Sequence, residues 1–112
     1  MDKRLEYRQH IKRIMQELQQ RLRGNGKAER ILILDDTQGQ YLLMNNHWNG
    51  ESRHYGIVIH LELKPDGKVW LNYDGTDLIV GQHLLDAGIP KSDIVLGFQA
   101  PIRRPDTGFA VA

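Results

Sequence analysis

The histidines are the side chains best suited to acid–base or metal chemistry, and their spacing does not bring them to one site. There are five: His10, His47, His54, His60 and His83. His54 and His60 fall in one predicted strand, and their separation in sequence places them about 20 Å apart. If Asn49-Gly50 forms the turn that follows His47, this histidine lies opposite Ser52 and diagonal to His54. Because a metal site needs several converging ligands, we predict no metal and no cofactor.

His60 lies centrally in its predicted strand and shares a face with Val58 and Glu62. A buried, hydrogen-bonded role is the first interpretation. The enzyme hypothesis requires a concave pocket in which His60 lies beside a carboxylate. The few hydroxyl side chains fall in no recognisable nucleophile motif. We therefore predict that the chain is not an enzyme.

Two groupings of aromatic and basic residues could bind a partner. Trp48 and Arg53 flank the predicted Asn49-Gly50 turn, and Lys68 and Trp70 share a face of a later strand. Such a sheet could stack bases and pair with phosphates, as proteins that bind single strands do. The alternative is that both tryptophans lie in the core or in an interface.

Basic residues are concentrated at the N-terminal end of the chain. Through Arg30 there are nine Lys/Arg and four Asp/Glu, and after it there are six and ten. A solvated helix face explains this pattern, as does a surface that faces nucleic acid or an acidic partner protein.

The hydrophobic spacing predicts one long helix, four strands and one short helix. The long helix runs from Asp2, its N-cap, to Arg23 and stops at Gly24-Asn25-Gly26. The strands are predicted over residues 30–35, 40–48, 53–63 and 68–73. The first should be buried on both faces, and the third places Tyr55, Ile57, Ile59, Leu61 and Leu63 on one face. The short helix covers residues 77–87, with Thr76 as its cap and Gly88 at its end.

These elements define an α+β fold in which a four-stranded antiparallel meander follows the long helix and an apolar C-terminal arm ends a single domain of residues 1–112. Ile94-Val95-Leu96 is also β-prone. We expect Phe109 and Val111 to be buried, and Arg104 to be the arm residue that contacts something else. One sheet face should be covered by helix. The other is not cleanly polar, so we predict a homodimer.

The chain carries no cysteine, no apolar stretch long enough to cross a bilayer and no signal-peptide pattern at its start. These features exclude a disulfide framework and a thiol-bound metal. We expect a cytoplasmic protein that does not associate with membranes.

Several motifs together resemble the XisI-like family, described as controlling factors for excision of a DNA element that interrupts a ferredoxin gene. The motifs are Trp48-x-Gly50-x-x-Arg53-x-Tyr55-Gly56, Val58-Ile59-His60-Leu61, Gly67-Lys68-Val69-Trp70, Gly75-Thr76, Ala87-Gly-Ile-Pro90, Asp93-Ile-Val-Leu-Gly-Phe98, Arg104 and Phe109-Ala-Val-Ala112. The resemblance covers nearly the whole chain. Asp77, His47 and Asp106 depart from the family's usual residues.

The resemblance implies a small protein of photosynthetic, nitrogen-fixing bacteria that acts with a recombinase and with a nuclease-like companion, XisH. It transfers no catalytic residue. The leading hypothesis is a non-enzymatic accessory protein that binds such a companion. The alternative is direct nucleic-acid binding through the basic helix and the tryptophan-bearing sheet. The binding candidates are Trp48, Arg53, His60, Lys68, Trp70 and Arg104.

Overall fold

The structure is a computed structural model that describes residues 2–22 and 29–112. Two α-helices and five strands follow in the order α1 (Lys3–Arg21), β1 (Arg30–Asp35), β2 (Gln40–Asn49), β3 (Ser52–Leu63), β4 (Val69–Asp74), α2 (Val80–Asp86) and β5 (Ile94–Leu96). Short 3-10 helices cover Lys91–Asp93 and Pro101–Thr107. The predicted α+β class is confirmed. Arg23 and the predicted helix stop at Gly24-Asn25-Gly26 lie outside the described residues.

Helix α1 begins as its sequence predicts. The Asp2 carboxylate accepts a hydrogen bond of 2.9 Å from the backbone N–H of Arg4, which satisfies a donor that the first helical turn leaves free. The buried stripe of the helix consists of Tyr7, Ile11, Ile14, Met15 and Leu18. This stripe packs on one face of the sheet and forms the core with the inward side chains of the strands.

The sheet has the order β1-β2-β3-β4-β5. The first four strands form the predicted antiparallel meander, and β5 adds a parallel fifth strand beside β4. The strand count was therefore one too low, because Ile94–Leu96 has only three residues and pairs with a strand far away in sequence. The prediction that β1 is buried on both faces is wrong, since β1 forms an edge and 40% of Ile33 is exposed.

A β-bulge changes the side-chain alternation in β3. Leu43 of β2 pairs with Ile59, but Met44 pairs with Ile57, so Val58 has no partner across the ladder. The extra residue turns Ile57 to the face opposite Ile59. The prediction that Tyr55 and Ile57 share a face with Ile59 is therefore wrong, and both are exposed.

Helix α2 is shorter than predicted, because a turn held by hydrogen bonds precedes it. Thr76 does not cap the helix. Instead Asp74 accepts a hydrogen bond of 2.9 Å from the backbone N–H of Val80, and Ile79 adopts a left-handed conformation with φ of 54°. The predicted role of Gly88 is confirmed, since it follows the helix with φ of 100°.

The C-terminal arm folds back on the edge of the sheet. Ala110 forms an isolated bridge with Val95, and Phe109 packs partly buried against the core. Val111 is 51% exposed, so the expectation that it is buried is wrong. Within the described parts of the chain, no helix is long and apolar enough to span a membrane.

Candidate functional site

The β2–β3 hairpin projects beyond the strands on either side of it. The pairing of β1 with β2 ends at Arg30 and Asn45, and that of β4 with β3 ends at Asp74 and Ile59. Residues 46–55 therefore form a two-stranded ribbon. Its turn is Gly50-Glu51 rather than the predicted Asn49-Gly50, because Asn49 pairs with Ser52.

One side of this ribbon carries a set of aromatic and polar side chains, which we call the hairpin-tip cluster: Asn46, Trp48, Arg53 and Tyr55. Trp48 is paired with Arg53 and Asn46 with Tyr55, so all four project from the same face. The Arg53 guanidinium lies 5.3 Å from the centre of the Trp48 ring and 4.9 Å from that of Tyr55. It also donates a hydrogen bond of 2.8 Å to the side-chain oxygen of Asn46. The cluster is thus ordered by its own contacts.

The rings of the cluster remain open to solvent although they are ordered. Trp48 is 62% exposed and Tyr55 66%. Large aromatic side chains are normally buried or in an interface, so the exposure of these two rings is unusual. The sequence placed Trp48 and Arg53 beside a turn. It missed Tyr55 and Asn46, whose positions depend on the hairpin register.

The opposite side of the ribbon carries two stacked histidines. His47 and His54 are direct partners, not diagonal neighbours, and their rings lie 5.0 Å apart with an angle of 8° between planes. The difference follows from the one-residue shift of the turn. His47 Nδ1 lies 3.1 Å from the backbone oxygen of Glu29. Among the described residues, no cluster of histidine and acidic side chains could hold a metal ion.

Trp70 lies between two cations at the other end of the sheet. Lys64 Nζ is 4.8 Å and the Arg104 guanidinium 5.0 Å from the centre of its ring. Arg104 also donates to the backbone oxygens of Gln99 and Gly97. Lys68 instead reaches Asp66, at 3.8 Å. The structure therefore places Arg104 and Lys64 on Trp70, and Arg104 links the arm to the sheet.

His60 lies on the sheet face away from α1, half-buried between its neighbours. Its Nε2 is 2.7 Å from the side-chain oxygen of Gln40. Burial lowers the pKa of His60, although the charge of Glu62 acts in the opposite direction. Burial also acts to raise the pKa of Glu62, but hydrogen bonds from Asn72 and Gln40 outweigh it and hold that pKa below its usual value. The Gln40 amide oxygen therefore satisfies Nε2 of this histidine.

An open cavity of about 610 Å³ lies near the base of the hairpin and does not include His60. Its described lining is Leu22, Arg30, Asn45, Ile57, Val58, Tyr73, Gly75, Thr76 and Asp77. The concave site with His60 beside a carboxylate, which the enzyme hypothesis requires, is not at this cavity.

Three of the six lysines and arginines of α1 form ion pairs with acidic residues of the rest of the chain. Lys3 lies 3.3 Å from Asp93, and Lys12 and Arg8 lie 2.9 Å and 3.8 Å from Asp36. The charge asymmetry between the two parts of the sequence is thus partly balanced inside the fold.

Comparison with known proteins agrees with the family that the sequence motifs predict. The model of a family described as XisI protein matches residues 1–111. The chain belongs to the XisI family. One similar crystal structure is that of the fdxN element excision controlling factor XisI from Anabaena variabilis. Its sequence is 35% identical to this chain, and the match covers 99% of this chain and 100% of that one, with a TM-score of 0.86.

A second XisI relative has an equally similar fold. A XisI-like protein from Anabaena variabilis is 37% identical over 97% of this chain and 99% of that one, with a TM-score of 0.89. No curated protein matches the chain. The XisI assignment predicted from the sequence motifs is therefore confirmed, and one XisI relative is named as a factor that controls excision of a DNA element.

Proposed function

We propose that this chain is a non-enzymatic regulatory protein of the XisI family that binds an XisH-like, nuclease-like companion through its hairpin-tip cluster. The role in control is supported by the relative named as an excision controlling factor. We expect the chain to act in the cytoplasm.

The observation that supports the proposal most directly is the ordered, exposed state of the hairpin-tip cluster. Trp, Tyr and Arg are the residue types that carry most of the binding energy at protein interfaces. Here Arg53 is already held by two rings and by Asn46 before any partner arrives. Ordering these side chains in advance lowers the entropy lost on binding. A protruding ribbon also allows a partner to reach both rings without disturbing the core.

The non-enzymatic part of the proposal is supported by the state of His60. A general base needs a pKa near the working pH and a group that orients it toward a substrate. Burial moves the pKa of His60 downward, and its Nε2 is hydrogen-bonded to Gln40. Both features suit a structural residue of the sheet.

Co-expression with an XisH-like protein from the genome that encodes this chain tests the proposal. We expect the companion to co-purify with the native chain and to be lost with Trp48→Ala or Arg53→Ala. Arg103→Ala is the matched control, because Arg103 is an exposed arginine outside the cluster. Circular dichroism must show that each variant is folded. Retention of the companion by both cluster variants would contradict the proposed contact surface.

Direct binding of single-stranded nucleic acid is the second candidate, and the same cluster is the observation that favours it. Exposed rings beside an arginine can stack on bases of any sequence. The ion pairs of Lys3, Arg8 and Lys12 with acidic residues weaken the case for phosphate contacts along α1. Gel shifts with a single-stranded oligonucleotide should show binding at about 50 mM salt that falls steeply by about 200 mM. No shift at the lower salt removes this candidate.

A further inference from the structure

The face of the sheet that turns away from α1 is largely apolar in its centre. We call this set the open face: Ile31, Ile33, Leu42, Met44, Ile57 and Tyr73. The strand register places its members side by side, with Ile33 next to Leu42 and Met44 between Ile31 and Ile57. His60 lies within the same surface, between Leu42 and Tyr73.

The described parts of the chain leave three of these six side chains exposed and the other three partly buried. Ile33 is 40%, Ile57 45% and Tyr73 49% exposed. Helices α1 and α2 pack on the other face, and Arg104 of the arm stacks on Trp70 beside the open face. Leaving such side chains in water costs hydrophobic free energy that a second apolar surface would recover.

We propose that the open face is the interface of a homodimer in which the sheets of two copies pack face to face. A β-sandwich forms when two sheets that are apolar on their inner faces stack about 10 Å apart. A second copy of this chain supplies a surface of the same shape and polarity, and a two-fold axis brings each open face against the other.

The charge pattern favours a second copy over a charged partner. None of the six side chains is charged, so self-pairing brings no like charges together and a phosphate backbone would find no cation among them. The flanking Glu62 and Lys64 lie 3.7 Å apart and compensate each other. His60, the polar side chain inside the patch, has Gln40 as its partner, so its burial in an interface leaves no unpaired Nε2.

The size of the surface is that of a weak, concentration-dependent contact. The two apolar rows and the polar row on each side of them cover four strands at the β4 end, three strands beside Ile57 and two strands at the hairpin, thirteen positions in total. At about 33 Å² for each position, two copies would bury about 850 Å² in projection, at the low end of biological interfaces. Asn46 and Tyr55 belong to one of these polar rows, whereas Trp48 and Arg53 lie beyond it and stay accessible at each hairpin tip.

Sedimentation equilibrium of the native full-length chain over a micromolar concentration series tests the dimer without any companion. We expect a dimer for the native chain and a monomer for Ile57→Lys and for Ile33→Lys. Ile102→Lys is the matched control and should stay dimeric, because Ile102 is an isoleucine on the arm that is 85% exposed. A native chain that is monomeric throughout, or lysine variants that remain dimeric, would overturn the proposal.

Disulfide cross-linking tests the same interface if the lysine variants fail to fold. The chain has no cysteine, so a single Ile57→Cys variant can form an intermolecular bridge only with a second copy. We expect covalent dimers for Ile57→Cys under mild oxidation and none above background for Ile102→Cys. Equal cross-linking of the two variants would contradict the open face as the interface. Because no companion is present, this result is independent of the proposed function.

Discussion

Asp93 joins the first helix to the start of the C-terminal arm. Its carboxylate accepts a hydrogen bond of 2.6 Å from the Tyr7 hydroxyl and lies 3.3 Å from Lys3 Nζ. The Tyr7 hydrogen bond, with help from Lys3, holds the pKa of Asp93 below its usual value although burial opposes this. Burial and the same carboxylate raise the pKa of Tyr7 to about 12.

Asp93→Asn should lower the free energy of unfolding by about 1–2 kcal/mol at neutral pH, because it removes a charged hydrogen-bond acceptor. A carboxyl group whose pKa is lower in the folded chain stabilises the fold above its unfolded pKa, and this contribution is lost as the pH falls through the folded value. The gap between native chain and variant should therefore close below the ordinary aspartate pKa of about 3.8.

Urea unfolding at neutral and acidic pH measures this gap. Tyr7→Phe removes the same hydrogen bond from its other side. The double variant should therefore lose less stability than the sum of the losses in the two single variants. Equal losses for Asp93→Asn at both pH values would rule out the charge of Asp93 as the cause.

Arg104→Ala should lower the free energy of unfolding by about 1–2 kcal/mol, since it removes a cation stacked on Trp70 and two hydrogen bonds to backbone oxygens. Arg104→Lys should retain only part of the stability that Arg104→Ala loses, because an ammonium group lacks the planar, forked set of donors of a guanidinium. The chain has two tryptophans, so a Trp48→Phe background isolates the emission of Trp70. An alanine variant with unchanged stability and emission would contradict this role.

Residue roles could be predicted only where they depend on neighbours in sequence. The place of Asp2 before an apolar repeat predicts an N-cap, and the turn between Trp48 and Arg53 places these two residues together. The Arg104 contact joins the arm to β4 across a long stretch of chain, so local spacing carries no sign of it. The same holds for the hydrogen bond from Tyr7 to Asp93.

At the scale of the elements, the turn between β1 and β2 depends on Gly39. This glycine has φ of +67°, its backbone oxygen accepts a hydrogen bond of 2.9 Å from Leu63, and an added Cβ would collide with the Leu63 backbone oxygen. Gly50, in the hairpin turn, has a similar φ of +61° but open space around it. Alanine substitutions at Gly39 and Gly50 therefore separate the free-energy cost of the left-handed backbone from that of the collision with Leu63.

Gly39→Ala should lower the free energy of unfolding by about 2–4 kcal/mol, and Gly50→Ala by about 1 kcal/mol. Both variants lose the conformational freedom of glycine, but only the first also displaces β3. Chemical denaturation of both variants beside the native chain measures the difference. Equal destabilisation would show that the contact with Leu63 does not constrain this turn.

The strands themselves could be predicted because hydrophobic alternation and turn residues are local signals. The bulge that turns Ile57 outward could not, since one extra residue in β3 leaves the sequence pattern apparently unbroken. The same limit applies to the edge position of β1, because a run of isoleucine and leucine reads as buried until its neighbours are known. Capping of α2 by Asp74 depends on a turn that the helical period does not show.

At the scale of the whole molecule, one helical layer covers one face of the sheet and leaves the open face and the hairpin-tip cluster accessible. The acidic residues Asp36 and Asp93 compensate part of the basic charge on α1. The sequence motifs were sufficient to predict the family, because they extend over nearly the whole chain. They could not predict which surface contacts a partner, since that depends on how a bulge and a register place side chains in space.

The central claim is that the hairpin-tip cluster binds an XisH-like companion, and a calorimetric titration of that companion tests it most directly. We predict that Trp48→Ala weakens binding by about 30-fold, as expected for an interface residue worth about 2 kcal/mol. Arg103→Ala should bind as the native chain does. A Trp48→Ala variant that is folded and binds with native affinity would contradict the account, as would a native chain that does not bind the companion.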